Sequence, residues 1–302
     1  MGSIAGVANA PCSWGVLEFS LNGDRPGYEQ VLDEMAEAGY AGTALGDYGF
    51  LPTEPEALQT ALAARDLVLL EAFVPVALAD PEALFTGADA ALQAARLLAE
   101  TGNETAHIVL SDDNGTHPVR TTCAGRIEPG QGWAPKQWET AAHTADHIAL
   151  KVYEETGLRT VFHPHCAGYV ETPEEVGILM SVTHPRMLGL CLDTAHYAYG
   201  GGDPLELIRH YADRIWHVHF KGYQSAIAEE ARLNALDYFD AVRRGVFCEL
   251  ETSSLDFSEI LAELNAVDYA GWIVVEQDVL PEMGTPLESA KKNREYLKTL
   301  GI

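Results

Sequence analysis

Thr160-Val161-Phe162-His163-Pro164-His165 is an apolar run that ends in side chains able to bind a metal, and it sets the reading of the whole chain. The same order recurs in Leu188-Gly189-Leu190-Cys191-Leu192-Asp193, Ile215-Trp216-His217-Val218-His219 and Trp272-Ile273-Val274-Val275-Glu276. Short continuous apolar runs mark strands buried on both faces, which belong to parallel sheets covered by helices. When such strands close into a barrel their carboxyl ends meet, and the active site of a (β/α)8 barrel is built at that end. Strands ending in His, Asp, His and Glu therefore predict one shared site for a divalent cation.

Outward from these segments, strand and helix signals alternate. Strands are expected at 4–10, 42–45, 67–73, 107–110, 159–163, 188–193, 215–220 and 272–277. Helices are expected at 28–38, 55–65, 81–101, 136–156, 258–264 and 286–300. Two more follow Thr172-Pro173-Glu174-Glu175 and Asp203-Pro204-Leu205-Glu206, where a capping side chain precedes proline and acidic residues of the first turn. The expectation is an α/β fold, a single (β/α)8 TIM barrel over residues 1–302. No Gly-rich phosphate loop follows the first strand, so the dinucleotide-binding signature is missing. Residues 111–135 form a long stretch rich in Gly, Pro and Thr, a length associated with functional loops. Arg120, Arg126 and Trp133 within it are expected to form a lid over the barrel mouth.

Hydrophobic residues make up 47% and charged residues 21% of the 302, the composition of a globular chain with a large core. A net charge of −26 repels nucleic-acid phosphates and anionic lipid, which argues against both as partners. The remaining partners are a small-molecule substrate and a second copy of the chain in a homo-oligomer. No basic segment opens the sequence at Met1-Gly2-Ser3-Ile4, and no apolar run approaches the ~18 residues of a membrane span. Five scattered cysteines without a Cys-x-x-Cys pair suit a reducing compartment, so the expected location is cytoplasmic.

Alternation along a strand points His163 and His165 the same way, and likewise His217 and His219. A mixed N and O donor set suits Mn²⁺, Co²⁺, Fe²⁺ or Zn²⁺ rather than Ca²⁺. His165 and His196 are the candidates for moving protons, because imidazole titrates near neutrality. Lys221 shares the face of His219 and is suited to stabilising an enolate oxygen. Glu71 closes the apolar run Leu67-Val68-Leu69-Leu70 of the expected third strand and is read as an acid, a base or a hydroxyl-binding group. Trp14, after the first strand, is read as an apolar wall for a sugar ring.

Longer motifs carry a resemblance. His163-Pro164-His165-Cys166-Ala167-Gly168-Tyr169-Val170-Glu171-Thr172, Cys191-Leu192-Asp193-Thr194-Ala195-His196, His217-Val218-His219-Phe220-Lys221 and Gly271-Trp272-Ile273-Val274-Val275-Glu276-Gln277-Asp278 resemble the inosose dehydratases of the xylose-isomerase-like barrel superfamily. The resemblance covers nearly the whole chain and is strongest from residue 159 onward. Carried over by position, it implies one divalent metal held by His163, Asp193, His219 and Glu276, with a His where the wider superfamily has a Glu and with His165 as the alternative ligand from the fifth strand. It also implies a metal-dependent dehydratase of a keto-inositol or related keto-sugar, acting through an enolate and loss of a β-hydroxyl. A ketose epimerase or sugar isomerase, or a β-eliminating lyase of 3-oxo-glycosides, would use the same metal and enolate. Two departures stand out: Gly222 takes the place of an Asp, and Leu250-Glu251-Thr252-Ser253 replaces a Gly-rich loop. Glu251 is therefore expected to contact substrate, as is Arg126 from the lid.

Overall fold

A computed structural model describes residues 4–17, 26–280 and 283–302. Part of the N-terminal reading, residues 1–3, lies outside the described residues. Eight parallel strands close a barrel: β1 (Gly6–Asn9), β2 (Gly42–Ala44), β3 (Val68–Val76), β4 (His107–Asp112), β5 (Arg159–Phe162), β6 (Leu188–Asp193), β7 (Ile215–Phe220) and β10 (Trp272–Val275), in the order β1-β10-β7-β6-β5-β4-β3-β2. A small antiparallel ribbon, β8 (Gly222–Tyr223) with β9 (Phe247–Cys248), lies between β7 and β10 in sequence. Gly222 is required there, because a Cβ would lie 2.2 Å from Cys248 O.

The core has the layers expected of such a barrel. Between the barrel and the surrounding helices lies the larger core, to which the helices contribute Leu32, Leu98, Ile148, Leu179 and Leu264. Inside the barrel, Val109, Val161 and Cys191 form one small cluster, and Ala8, Ala44, Leu70 and Val274 form another. Small and branched residues fill much of this interior, with Glu71 and His217 buried among them, and the polar strand ends face one another at the top. The helix ends follow local chemistry. Thr172 and Glu175 make the expected reciprocal cap, and Asp203 accepts from Leu205 N–H at 2.9 Å.

The stretch from 111 to 135 differs from a free lid. Its start continues β4 to Asp112, and it contains a short helix, Pro118–Thr122. Arg120 is fully buried and grips both oxygens of Glu175 at 2.8 and 2.7 Å, while its Nε donates to Gly168 O at 2.7 Å. Trp133 stacks on Tyr169, with ring centroids 4.9 Å apart. Arg126 donates to Leu236 O at 2.6 Å, in a helical segment inserted between β8 and β9 (Ser225–Leu233 and Tyr238–Arg243). The reason is electrostatic: a buried guanidinium needs a matched carboxylate, and Glu175 supplies it from the barrel wall. Among the described residues no helix is long and apolar enough to cross a membrane.

Candidate metal centre

Asp193 shows how the sequence builds the site. It is the last residue of β6 and the N-cap of a short helix, Thr194–Tyr199. Its Oδ1 accepts from Ala195 N–H at 2.9 Å and His196 N–H at 2.7 Å, satisfying two donors of the first turn that have no partner within the helix. Its Oδ2 points the other way, buried and without a hydrogen-bond partner. One oxygen fixes the side chain and the other is presented to the barrel mouth.

Three further side chains meet it there. His163 follows β5, His219 lies on β7 in register with Asp193, and Glu276 follows β10. One ligating atom from each of His163, Asp193, His219 and Glu276 lies within 4.8 Å of the others. His219 Nε2 donates to Glu71 Oε2 at 2.8 Å, which leaves Nδ1 turned towards Glu276 Oε2 at 3.3 Å. Nδ1 is also buried without a hydrogen-bond partner. A carboxylate behind a histidine fixes its tautomer and orientation, the usual support of a metal-binding imidazole. Buried, unpartnered N and O atoms converging on one point fit a divalent cation.

The electrostatics agree. Burial lowers the proton affinity of His219, but Cys191, Glu276 and Glu71 outweigh it and raise the imidazole well above its ordinary range. Burial likewise opposes the charge of Lys221, yet Asp193, Asp278 and Glu276 hold the ammonium well above the usual lysine range. The cluster draws positive charge inwards, a demand that a cation meets.

Lys221 Nζ stands 2.8 Å from Asp278 Oδ1, 3.2 Å from Glu276 Oε2 and 3.5 Å from Asp193 Oδ2. Asp278 also accepts from Tyr238 O–H at 2.8 Å. Neither Asp278 nor Tyr238 was singled out from sequence as a functional residue. Tyr238 arrives on the inserted helical segment, and no local pattern announces a contact across 40 residues.

His165 and His196 stack with ring centroids 3.8 Å apart. The backbone of one residue sets their protons. Cys166 O accepts from His165 Nδ1 at 2.6 Å, and Cys166 N–H donates to His196 Nδ1 at 3.2 Å. The two rings are thus held in opposite tautomers: His165 offers an Nε2 lone pair, and His196 carries its proton on Nε2, facing Asp278 Oδ2 at 3.4 Å. Burial, then the charges of His196 and His163, lower the His165 pKa well below the ordinary value, so it is neutral. The loop that makes this clamp is strained, with Ala167 (φ 70°) and Val170 (φ 67°) in the left-handed region. Such residues cost on the order of 1–3 kcal/mol each and mark positions fixed by their surroundings.

A cavity of about 50 Å³ opens above the cluster, and Cys12, Asp47, Phe73, His165, Lys221 and Asp278 contribute to its walls. Glu71 lies in mid-strand rather than at a strand end, because β3 continues to Val76, and there it also bonds His217. The other expected substrate contacts lie elsewhere. Trp14 is buried against the helix Tyr28–Ala38, donating to Glu34 at 2.6 Å. Glu251 is exposed on a short 3-10 turn, Leu250–Thr252, and Arg126 is spent on the backbone of Leu236. His196 stands behind His165 instead of lining the cavity.

The strand ends of a closed parallel barrel thus converge on a His/Asp/His/Glu cluster, and the chain belongs to the xylose isomerase-like TIM barrel family, whose model matches residues 32–300. The chain is 34% identical to an inosose dehydratase of Geobacillus kaustophilus, over 97% of this chain and 94% of that protein. It is 37% identical to a rhizopine catabolism protein of Rhizobium meliloti, over 96% and 87% of the two chains. Among solved structures, a 3-keto-D-glucoside 4-epimerase from E. coli superposes with a TM-score of 0.70 at 14% identity, covering 98% of this chain and 100% of the other.

Proposed function

We propose that this chain is a metal-dependent dehydratase of a keto-inositol or closely related keto-sugar. The observation that carries the reading is the meeting of His163, Asp193, His219 and Glu276 within 4.8 Å beside the neutral imidazole of His165. Similarity to inosose dehydratases over nearly the full length supports the substrate class. The four side chains would hold one divalent cation, and two imidazoles with two carboxylates suit Mn²⁺, Co²⁺, Fe²⁺ or Zn²⁺. Such a cation supplies Lewis acidity, which polarises a substrate carbonyl and acidifies the adjacent C–H.

The protein's own groups then divide the work. His165 Nε2 takes the α-proton, for which a neutral, oriented imidazole is suited. The Lys221 ammonium stabilises the negative charge that develops on the carbonyl oxygen. The C–H bond breaks first, with its proton on His165; return of that proton to the departing β-hydroxyl as the C–O bond breaks releases water and leaves a conjugated enone. His196 acts as a positioning residue: its Nε2 proton faces Asp278, which in turn holds Lys221. Glu71 positions His219 from below.

The test is incubation of metal-loaded protein in D₂O with a panel of inososes, ketohexoses and 3-oxo-glycosides, following enone absorbance and product mass. Loss of water from an inosose is the expected result; rearrangement of a ketohexose or release of an aglycone, with inososes unchanged, refutes it. His165→Gln is expected to lower kcat by at least ~10²-fold and to stop deuterium entering recovered substrate. His196→Gln is expected to leave that exchange running. Normal turnover by His165→Gln moves the base elsewhere.

A further inference from the structure

Glu71 reaches His219 from the far side of the barrel. β3 lies four strands from β7 in either direction around the ring, so the carboxylate leaves one wall and is received by the opposite one. Two imidazoles receive it. His217 and His219 stand two residues apart on one face of β7 with ring planes 82° apart, and the Nε2–H of each donates to the same oxygen, Glu71 Oε2. All three side chains are buried. Towards the amino ends of the strands, His107, the register partner of Glu71 on β4, lies against His217 with ring centroids 5.1 Å apart. Burial, then the neighbouring His217, lowers the His107 pKa to about 3, so a neutral ring packs there. The interior of such a barrel is ordinarily filled by branched apolar side chains, and a buried histidine costs desolvation that an aliphatic residue avoids.

From this arrangement we infer that His217 is a positioning residue of the metal centre: it anchors the Glu71 carboxylate from the wall opposite β3, and through it holds His219 with Nδ1 presented to the cation. A glutamate bonded to His219 alone would turn with that ring, because a single hydrogen bond leaves both side chains free to rotate together. A second donor on the same strand removes that freedom. His217 and His219 triangulate Oε2, so the oxygen is fixed at one point and the imidazole above it in one orientation. Partners behind a ligand govern metal affinity in this way, by fixing tautomer and direction. The inference rests on the reading of His163, Asp193, His219 and Glu276 as ligands, and it adds a residue that touches neither cation nor substrate.

The experiment measures metal binding without turnover, with Co²⁺ as the probe because its visible spectrum reports coordination geometry. Chelator-treated wild type, His217→Gln, His217→Asn, Glu71→Met and the double variant Glu71→Met/His217→Asn are titrated with Co²⁺ against a competing chelator, and the spectrum of each complex is recorded. The glutamine amide nitrogen takes the place of imidazole Nε2 and keeps the donor, whereas the asparagine nitrogen takes that of Nδ1 and falls short of Glu71. His217→Asn is expected to bind Co²⁺ about tenfold more weakly with a shifted visible band, the lower end of the range for groups behind a ligand, and His217→Gln to stay within about threefold of wild type. In the Glu71→Met background the asparagine substitution should add no more than about twofold, because the carboxylate it works through is gone. Circular dichroism checks that each variant is folded, and His217→Phe, which fills the space without a donor, replaces His217→Asn if that variant unfolds. Co²⁺ affinity in His217→Asn within about threefold of wild type, equal losses in His217→Asn and His217→Gln, or the same loss in both Glu71 backgrounds overturns the inference and leaves the ligand assignment standing. Wild type that binds no Co²⁺ overturns the metal centre and this inference with it. The glutamine and asparagine contrast in a chain that dehydrates no inosose supports the inference and sinks the dehydratase reading alone.

Discussion

Asp193 does two jobs with two oxygens, and two substitutions should separate them. Asparagine keeps a carbonyl oxygen for the helix donors, and as an N-cap it is about as good as aspartate. Alanine removes both roles. In chelator-treated protein, Asp193→Asn and Asp193→Ala have lost the same charge, so the difference between them isolates the cap. The two donors concerned belong to Ala195 and His196, both buried, so water does not replace the lost acceptor. An N-cap lost to alanine costs about 0.5–2 kcal/mol, and burial places this one at the upper end, near 2. Over 302 residues the unfolding entropy at Tm is about 0.6 kcal/mol/K, so the alanine variant should melt about 3 °C below the asparagine variant. Metal binding should not distinguish them: both should lose more than about 100-fold in affinity, beyond the 10–100-fold typical of groups behind the ligands. Circular dichroism melts and chelator competition with elemental analysis make the measurements. Equal melting temperatures refute the capping argument, and full metal content in Asp193→Asn refutes the ligand assignment.

Arg120→Met should cost about 3–5 kcal/mol and lower Tm by roughly 5–8 °C, because it strands a buried Glu175 carboxylate without its guanidinium. The double variant Arg120→Met/Glu175→Met should recover most of that, and a single variant melting within 1 °C of wild type would remove the buried pair from the account. Glu171 is raised from 4.5 to about 7 by burial, which outweighs Arg120 and the two backbone N–H groups it accepts from. The folded chain keeps a proton that the unfolded chain releases, so this stability is complete below pH 4.5 and disappears as pH rises through 7. Within that window the loss is about 1.4 kcal/mol per pH unit. Glu171→Gln should remove that slope when denaturant stability is compared between the two proteins from pH 4.5 to 8; parallel curves would contradict it.

The barrel was legible because strands buried on both faces write themselves as apolar runs. Leu188–Asp193 and Ile215–Phe220 have the bounds expected of them. β3 runs past its expected end through Pro75, where a proline reads as a stop yet remains in register with Ser111. The helix Thr194–Tyr199 escaped because it is buried on every side and has no amphipathic period. Asp193 before Thr194-Ala195-His196 is a capping signal in the sequence, and the same residue joins the metal-binding cluster. The ligand set came from strand ends and from resemblance, and those four side chains do converge. Trp14, Glu251 and Arg126 were assigned from position along the chain, and position does not say which way a loop side chain turns. Asp278 and Tyr238 depend on a contact between segments far apart in sequence, which no local pattern encodes.

The backbone N–H and C=O of Cys166 fix two imidazole protons without using a side chain. Proton inventory at this centre is therefore written in the main chain, and it survives any residue at 166 small enough to fill the same buried space. It does not survive a change in the length of the loop. An insertion or deletion between Pro164 and Thr172 would move the carbonyl and the amide together, releasing both rings to exchange tautomers. Position 166 is thus tolerant in composition while the segment is intolerant in length, and its evolutionary record should show substitutions at 166 but no gaps.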